Sequence, residues 1–305
     1  MKILIATDGS QCSADARKDL LRAGLPNEAE AIVFSVADVW LPPPGEADTG
    51  LPEGWNDAAR NARARAEDAL RVARQHADSG ASDLQKLFNS WKIQSEAVAD
   101  SPGWGIISRA EKWNADLVVV GSHGLSGLGK LMQGSVSQKV VTHAHCPVRI
   151  ARFTLSERKQ IRLIIGMDGS PGAINAVDQV VKRSWPSDTE IRIVAVLDPR
   201  LSTAAISYLP RATDWIQEGY QDEEVWIRNV VEKEAQKLQK TGLKVTTTIM
   251  QGDPKLLLIQ SASDWAADCI FVGARGLTRI ERFLMGSVSG AVASRAHCSV
   301  EVIRQ

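Results

Sequence analysis

The chain carries two copies of one glycine-spaced loop whose chemistry suits phosphate. Each copy reads Gly-x-x-Gly, nine residues, then Gly-Ser-Val-Ser. Glycine lets a ligand approach the backbone closely, and backbone N–H groups at a helix N-terminus hold an anion. Because the spacing occurs twice, both loops are predicted to bind phosphate groups. The fixed positions are Gly121, Gly124, Gly134, Ser135, Val136 and Ser137 in the first copy, and Gly273, Gly276, Gly286, Ser287, Val288 and Ser289 in the second.

The composition indicates a globular protein without a dominant surface charge. Its 305 residues suffice for two domains. The 36 Lys and Arg balance 36 Asp and Glu, which argues against nucleic acid or an anionic membrane as a partner. The four cysteines form neither a disulfide framework nor a C-x-x-C zinc pair. No signal peptide precedes the first predicted strand, and no apolar run is long enough for a bilayer. We therefore expect a soluble, cytoplasmic protein.

An internal duplication organises the chain. The glycine loops align at an offset of 152 residues (273 − 121), and the Asp-Gly-Ser triplets that begin at Asp8 and Asp168 align at an offset of 160 (168 − 8). A period of this length indicates duplicated domains rather than a solenoid of short repeats. The predicted domains are residues 1–152 and 160–305, joined by a polar linker.

Alternating apolar strands and amphipathic helices predict one architecture for each half. In the first half, strands are predicted over 2–7, 30–37, 90–97, 116–121 and 148–151, and helices near 13–23, 56–80, 105–113 and 135–143. Near-continuous apolar runs are typical of strands buried on both faces of a parallel sheet. Each domain is therefore predicted to be a three-layer, Rossmann-like α/β fold with a five-stranded, mostly parallel sheet. Such sheets bind ligands where the strand order reverses, so Asp8 and Gly121 meet there if their strands are neighbours.

These motifs together resemble the universal stress protein family, and the resemblance covers nearly the whole chain twice. It rests on Asp-Gly-Ser after the first strand, the glycine-serine loop after the fourth, and a His-Cys-Pro-Val run before the last, where Ser299 replaces proline in the second copy. The resemblance implies an adenine nucleotide α-hydrolase-like fold and a regulatory, stress-response protein that binds ATP, ADP or AMP, with or without magnesium. It places Asp8 and Asp168 beside the adenosine, Val36 and Val196 against the adenine, and the loop residues around ribose and phosphates.

Several alternatives stay open. The glycine loops could be tight turns, and the aspartates could be turn formers before the capping serines Ser10 and Ser170. The run from Gly124 to Lys130 fits G-x-x-x-x-G-K, but Leu131 stands where a P-loop needs Ser or Thr, so a Walker A site is rejected. A slow ATPase or phosphotransferase and an interaction scaffold without nucleotide are the rival functions. No catalytic residue and no metal site can be assigned.

Further charged and aromatic residues lie in the loops. The basic residues Lys130, Arg275, Arg279 and Arg282 either neutralise phosphate or form a solvated face, and His123 occupies the position of Arg275. Long loops over 40–55 and 199–221 are predicted to overhang the crevice as lids, docking surfaces or connectors.

The last strand of each half is predicted to lie at a sheet edge. An exposed edge offers unpaired N–H and C=O groups that must be covered. The simplest partner is the other copy's edge, which gives an antiparallel contact within one molecule, an internal pseudo-dimer. Arg149 and Glu301 occupy matching places (301 − 149 = 152) with opposite charge, which favours pairing of unlike halves. A homodimer of the full chain is left open.

Overall fold

The computed structural model describes residues 1–39, 55–122, 134–152, 158–198, 213–274 and 285–304, with the backbone alone at 55–60 and 213–222. The elements of the first half are β1 (Lys2–Ala6), α1 (Gln11–Asp19) with a 3-10 turn (Leu20–Arg22), β2 (Glu30–Ala37), α2 (Trp55–Leu87), β3 (Lys92–Ala99), α3 (Pro102–Trp113), β4 (Leu117–Gly121), α4 (Ser135–His143) and β5 (Val148–Ala151).

The second half repeats this order. Its elements are β6 (Arg162–Met167), α5 (Pro171–Val181), β7 (Glu190–Leu197), α6 (Thr213–Gln239), β8 (Lys244–Gln251), α7 (Pro254–Asp264), β9 (Cys269–Gly273), α8 (Ser287–Arg295) and β10 (Ser299–Ile303). The two tandem α/β domains predicted from the sequence are thus confirmed.

The described strands form one ten-stranded sheet in the order β3-β2-β1-β4-β5-β10-β9-β6-β7-β8. Within each half all neighbours are parallel, so each contributes five parallel strands. The strand order reverses between β1 and β4, which pair directly, and again between β6 and β9. Both predicted switch points are therefore present.

The halves join through their last strands. Strand β5 pairs with β10 in antiparallel register, and Arg149 lies directly opposite Glu301. The predicted edge-to-edge pairing is confirmed. It removes the two edges at which each half would otherwise offer an unpaired backbone.

The hydrophobic core differs between the two faces of the sheet. On the face covered by α3, α4, α7 and α8, one apolar cluster runs without a break from Leu4 through Ile150 and Val300 to Ile164. On the opposite face each half has its own cluster, beneath α1 and α2 or beneath α5 and α6. One apolar layer therefore spans the domain boundary, whereas the other face is divided.

Buried charges lie where that second face is divided. Arg149 Nε donates to Asp19 Oδ2 at 2.6 Å, and Arg149 Nη1 donates to Glu301 Oε2 at 3.2 Å. Arg183 Nη1 donates to the same Glu301 oxygen at 2.9 Å. Burial alone would lower the pKa of Arg149, but the Asp19 and Glu301 carboxylates hold it well above its ordinary value. The four groups alternate in sign, and each half supplies one acid and one base.

Several element boundaries differ from the sequence prediction: α1 begins at Gln11 rather than 13, α3 begins at Pro102 rather than 105, and the helix α6 begins at Thr213, within the predicted 199–221 loop. Helix α2 continues past Gly80 to Leu87, and β3 begins at Lys92 rather than near residue 90. Glycine usually weakens a helix, but here a side chain at Gly80 would approach Val33 Cγ1 to 2.9 Å. The glycine therefore lets α2 pack closely on β2 and does not end the helix.

Candidate functional site

The predicted site residues at the strand ends gather along one edge of each half-sheet. Because Ile5 pairs with Val119, the carboxyl ends of β1 and β4 lie side by side, with Asp8 following one and Gly121 ending the other. The half-buried Val36 lies near the end of the adjacent β2. The second half repeats the arrangement with Asp168, Val196 and Gly273. The switch point thus brings both predicted sets together.

The aspartates shape the turn that follows the first strand of each half. Asp8 Oδ1 accepts hydrogen bonds from Ser10 N at 3.0 Å and from Ser10 Oγ at 2.5 Å. Asp168 Oδ1 accepts from Ser170 N at 2.9 Å. The serines cap α1 and α5 by accepting from the N–H groups of the first helical turns, as predicted. In each aspartate, Oδ1 therefore orders the turn.

The glycine after each aspartate has a left-handed backbone. Gly9 has φ +76° and Gly169 has φ +74°, a region that other residues rarely adopt. A side chain at Gly9 would lie 2.5 Å from His76 Nε2, and one at Gly169 would lie 2.2 Å from the indole of Trp226. An imidazole covers the turn in the first half and an indole in the second, so the two turns have different neighbours. No sequence pattern pointed to these two side chains.

The second glycine of each loop begins a helix beside the strand end. Gly134 N donates to Ser122 O at 2.8 Å, and Gly286 N donates to Ala274 O at 2.8 Å. Gly134 is the N-cap of α4 and has no side-chain cap. The first N–H groups of a helix lack acceptors within the helix, and Ser135 is exposed at the first helical position. This helix start can therefore donate hydrogen bonds to an anion in the crevice.

The serine hydroxyls of each Gly-Ser-Val-Ser run divide into two kinds. Ser135 and Ser287 are exposed, whereas Ser137 and Ser289 are each 3% exposed. Ser137 Oγ donates to Gly134 O at 2.9 Å, and Ser289 Oγ lies 3.0 Å from both Ala274 O and Gly286 O. The buried hydroxyls therefore anchor the base of the loop. The valines between them, Val136 and Val288, are half-buried against the shared apolar layer.

Close packing against α5 explains why residue 273 is a glycine. A side chain there would approach the backbone of α5 to 2.6 Å at Gly172 C and 2.8 Å at Ala173 N. A backbone cannot yield as a side-chain tip can, so only glycine allows α5 to lie against the end of β9. This predicted binding residue thus has a structural role whether or not a ligand touches it.

Comparison with known proteins identifies the family. The sequence pattern of the universal stress protein family matches residues 1–152 and again 162–304. The chain belongs to the universal stress protein family. A universal stress protein of Mycobacterium tuberculosis is 27% identical over an alignment of 328 residues, gaps included, that covers 99% of this chain and 97% of that relative. One from Methanocaldococcus jannaschii is 32% identical over 155 residues, 50% of this chain and 81% of the relative.

Solved structures of this family share the fold over the full length. The crystal structure of a universal stress protein from Archaeoglobus fulgidus superposes with a TM-score of 0.62, with 20% sequence identity, and covers 99% of this chain and 98% of its own. A structure described as a putative universal stress protein from Pseudomonas aeruginosa superposes with a TM-score of 0.59 at 14% identity over 99% of this chain and 92% of its own. The two-domain arrangement is therefore known in solved structures.

Some residues of the universal stress protein motif lie outside the described part of the chain. These are Gly124 and Gly276, the basic residues Lys130, Arg275, Arg279 and Arg282, and His123. Most of the two long loops, residues 40–54 and 199–212, lie outside it as well.

Three of the described thiols, those of Cys146, Cys269 and Cys298, are poor nucleophiles at neutral pH. Burial raises the pKa of Cys146 to about 11 and that of Cys298 to about 12, which leaves little reactive thiolate. Burial also raises the pKa of Cys269. In the residues that the structure describes, no group of three or more His, Cys, Asp or Glu is placed to hold a metal ion. No helix of that same part is both long and apolar enough to cross a membrane.

Proposed function

We propose that each half binds one adenine nucleotide in the crevice at the ends of its first and fourth strands, and that the protein is a regulatory member of its family. The observation that carries this proposal is the helix start at Gly134, repeated at Gly286, beside the switch point. In both halves an uncapped helix N-terminus with an exposed serine adjoins the carboxyl end of a parallel strand. This is the arrangement that binds phosphate in open α/β sheets.

The remaining strand ends would hold the nucleoside. Val36 and Val196 are half-buried near the ends of β2 and β7 and offer an apolar contact for a base. Asp8 and Asp168 would accept hydrogen bonds from the ribose hydroxyls next to the turns they order. Magnesium, if bound, would enter with the phosphates, because the described residues include no cluster of metal ligands. Binding would regulate by favouring one conformation of the protein over another.

A titration with ATP, ADP and AMP, followed by native mass spectrometry, tests the proposal. We expect two adenine nucleotides per chain at saturation, because the helix start and switch point occur in both halves. The stabilisation by ligand, RT ln(1 + [L]/Kd), is about 2.7 kcal/mol at a 100-fold excess over Kd, so a thermal shift must accompany binding. A stoichiometry of zero or one would contradict the proposal.

Variants at the helix starts show whether the crevice is the site. Gly134 has φ −66° and Gly286 has φ −63°, so the backbone tolerates a side chain and Gly134→Val and Gly286→Val test ligand approach, not backbone strain. Each is expected to remove one nucleotide, and the double variant both. Gly290→Ala, in α8 with nothing within 4 Å of the added carbon, is the matched control. An unchanged thermal shift by ATP in the double variant would place the phosphates elsewhere.

A further inference from the structure

A reciprocal pair of arginines joins each half to a helix of the other half. Arg152 follows β5 and Arg304 follows β10, and the two occupy equivalent places in the repeat (304 − 152 = 152). Arg152 Nη2 donates to Ala293 O of α8 at 2.6 Å, and Arg304 Nη2 donates to Val141 O of α4. These two acceptors are equivalent as well (293 − 141 = 152). Each half therefore places one guanidinium on the helix that begins at the opposite crevice.

The acceptor carbonyls lie in the last turns of α4 and α8, where a helix has no further N–H donors of its own. In each helix the cap residue closes the helical hydrogen-bond pattern, by donating to Val140 O in α4 and to Val292 O in α8. The arginines reach the carbonyl one residue further on, and Arg304 also donates to Thr142 O at 2.8 Å. A cation at this end of a helix is favourable, because the carbonyl end carries partial negative charge.

The charge of Arg152 is compensated by carbonyl oxygens rather than by a carboxylate. Burial lowers the pKa of this guanidinium, and no carboxylate of the described residues counters that effect. Its Nη1 donates to Cys298 O at 3.5 Å, beside the contact of Nη2 with α8. The end of α8 therefore provides the negative charge that a counter-ion would otherwise supply.

The backbone of each arginine is fixed at the crevice of its own half. The residue directly before Arg152 pairs with Gly121 at the end of β4. The residue directly before Arg304 pairs with Gly273 at the end of β9. The helix that each side chain reaches begins at the crevice of the other half. Each arginine thus connects the strand end at one crevice with the far end of the helix that borders the other.

We propose that Arg152 and Arg304 are positioning residues for nucleotide binding in the opposite half: Arg304 holds α4 for the first site, and Arg152 holds α8 for the second. The inference rests on the proposed function, because it takes the starts of these helices as phosphate sites. Each helix has nine residues and is about 14 Å long, so an arginine at its C-terminus does not touch the phosphate. It fixes where the helix lies and where its first N–H groups point.

ATP titrations of the full chain, with one site removed at a time, test this crossed dependence. Gly134→Val leaves the second site, and Gly286→Val leaves the first. In the Gly134→Val background, Arg152→Ala should weaken ATP binding about fivefold, the effect of one charge at a helix terminus. Arg304→Ala should do the same in the Gly286→Val background. Arg152→Lys keeps the charge and should restore most of the affinity. Arg71→Ala, which removes an exposed arginine on α2, is the matched control and should bind ATP as its background does.

Hydrogen–deuterium exchange of the ligand-free chain tests the same positioning without nucleotide. Arg304→Ala should speed exchange within residues 135–146 and leave 287–298 unchanged, and Arg152→Ala should do the reverse. If both variants weakened both sites alike, or if each acted on the site of its own half, the arginines would only stabilise the domain boundary and the proposal would be wrong. ATP binding that neither variant changes would also overturn it. Crossed exchange in a chain that binds no ATP would instead contradict the proposed function, and the positioning of the two helices would stand.

Discussion

At the scale of single residues, the junction between the halves depends on charges that a hydrophobic boundary would not need. Arg149 and Glu301 are both 0% exposed, and Asp19 is 4% exposed. A buried ion pair often contributes little to stability compared with apolar residues of the same size. Removing one partner, however, leaves the other charge buried without compensation. We infer that this cluster mainly determines which strand edges pair, since a second copy of either half would place like charges opposite each other.

The first prediction concerns this cluster. Arg149→Ala should lower the free energy of unfolding by about 3–5 kcal/mol, because two carboxylates then remain buried without their shared partner. The exchange Arg149→Glu with Glu301→Arg should not restore stability, because the new glutamate faces Asp19 and the new arginine faces Arg183. Denaturant unfolding of both variants measures this. Recovery of wild-type stability in the exchange variant would show that the central pair acts independently of its neighbours.

At the scale of elements, glycines in two helices differ in the room that surrounds them, so replacing each is expected to change stability in opposite directions. Gly80 lies in α2 where an added carbon would meet the stiff, fully buried side chain of Val33 at 2.9 Å. Gly290 lies in α8 with nothing within 4 Å. Helix propensity alone favours alanine over glycine by about 1 kcal/mol at either position. Packing therefore decides the sign of the effect.

We expect Gly80→Ala to destabilise the protein and Gly290→Ala to stabilise it. Overpacking costs about 1–3 kcal/mol, which outweighs the propensity gain at Gly80, whereas Gly290→Ala keeps that gain of up to about 1 kcal/mol. The difference between the two melting temperatures measures the packing effect. If both variants were stabilised, α2 would have room to move away from β2, and the close approach would not explain Gly80.

Sequence patterns predict some element boundaries of this chain and miss others. The bounds of β2, β5 and α4 follow from apolar runs and from the Gly-Ser start, so the sequence predicts them correctly. The end of α2 could not be predicted, because Gly80 resembles a stop signal until its contact with β2 is known. The same distinction holds for the candidate site. The motifs predict the crevice, but the packing role of Gly273 and the side chains that cover the two turns depend on tertiary contacts that no local sequence pattern shows.

At the scale of the whole molecule, the two domains share one apolar layer across their boundary. The apolar layer on one face continues through Val148 and Ile150 of β5 into Val300 and Val302 of β10. Each of these side chains is 0% exposed. Separation of the halves would expose this layer and two sheet edges. Arg149–Glu301 pairing was predicted from repeat spacing, whereas Asp19 and Arg183 were missed because the repeat places Gln179 and Ala23 at the matching positions.

The last prediction follows from this shared boundary. Residues 1–152 and 160–305, expressed separately and then mixed, should form a one-to-one complex, because β5 and β10 restore both the apolar layer and the alternating charges. Each half alone should self-associate weakly or aggregate: its exposed edge and apolar strand favour contact, but antiparallel self-pairing places Arg149 against Arg149, or Glu301 against Glu301.

Sedimentation and native mass spectrometry of the separate and mixed halves distinguish the possibilities. Glu301→Arg in the second half is the matched control: it repeats the like-charge arrangement within the mixed pair and should weaken the complex strongly. Two halves that stay soluble monomers, alone and together, would show that the boundary contributes little to folding. Equal stability of mixed and self-paired assemblies would instead show that the apolar strands hold the edge together and that the buried charges add no selectivity.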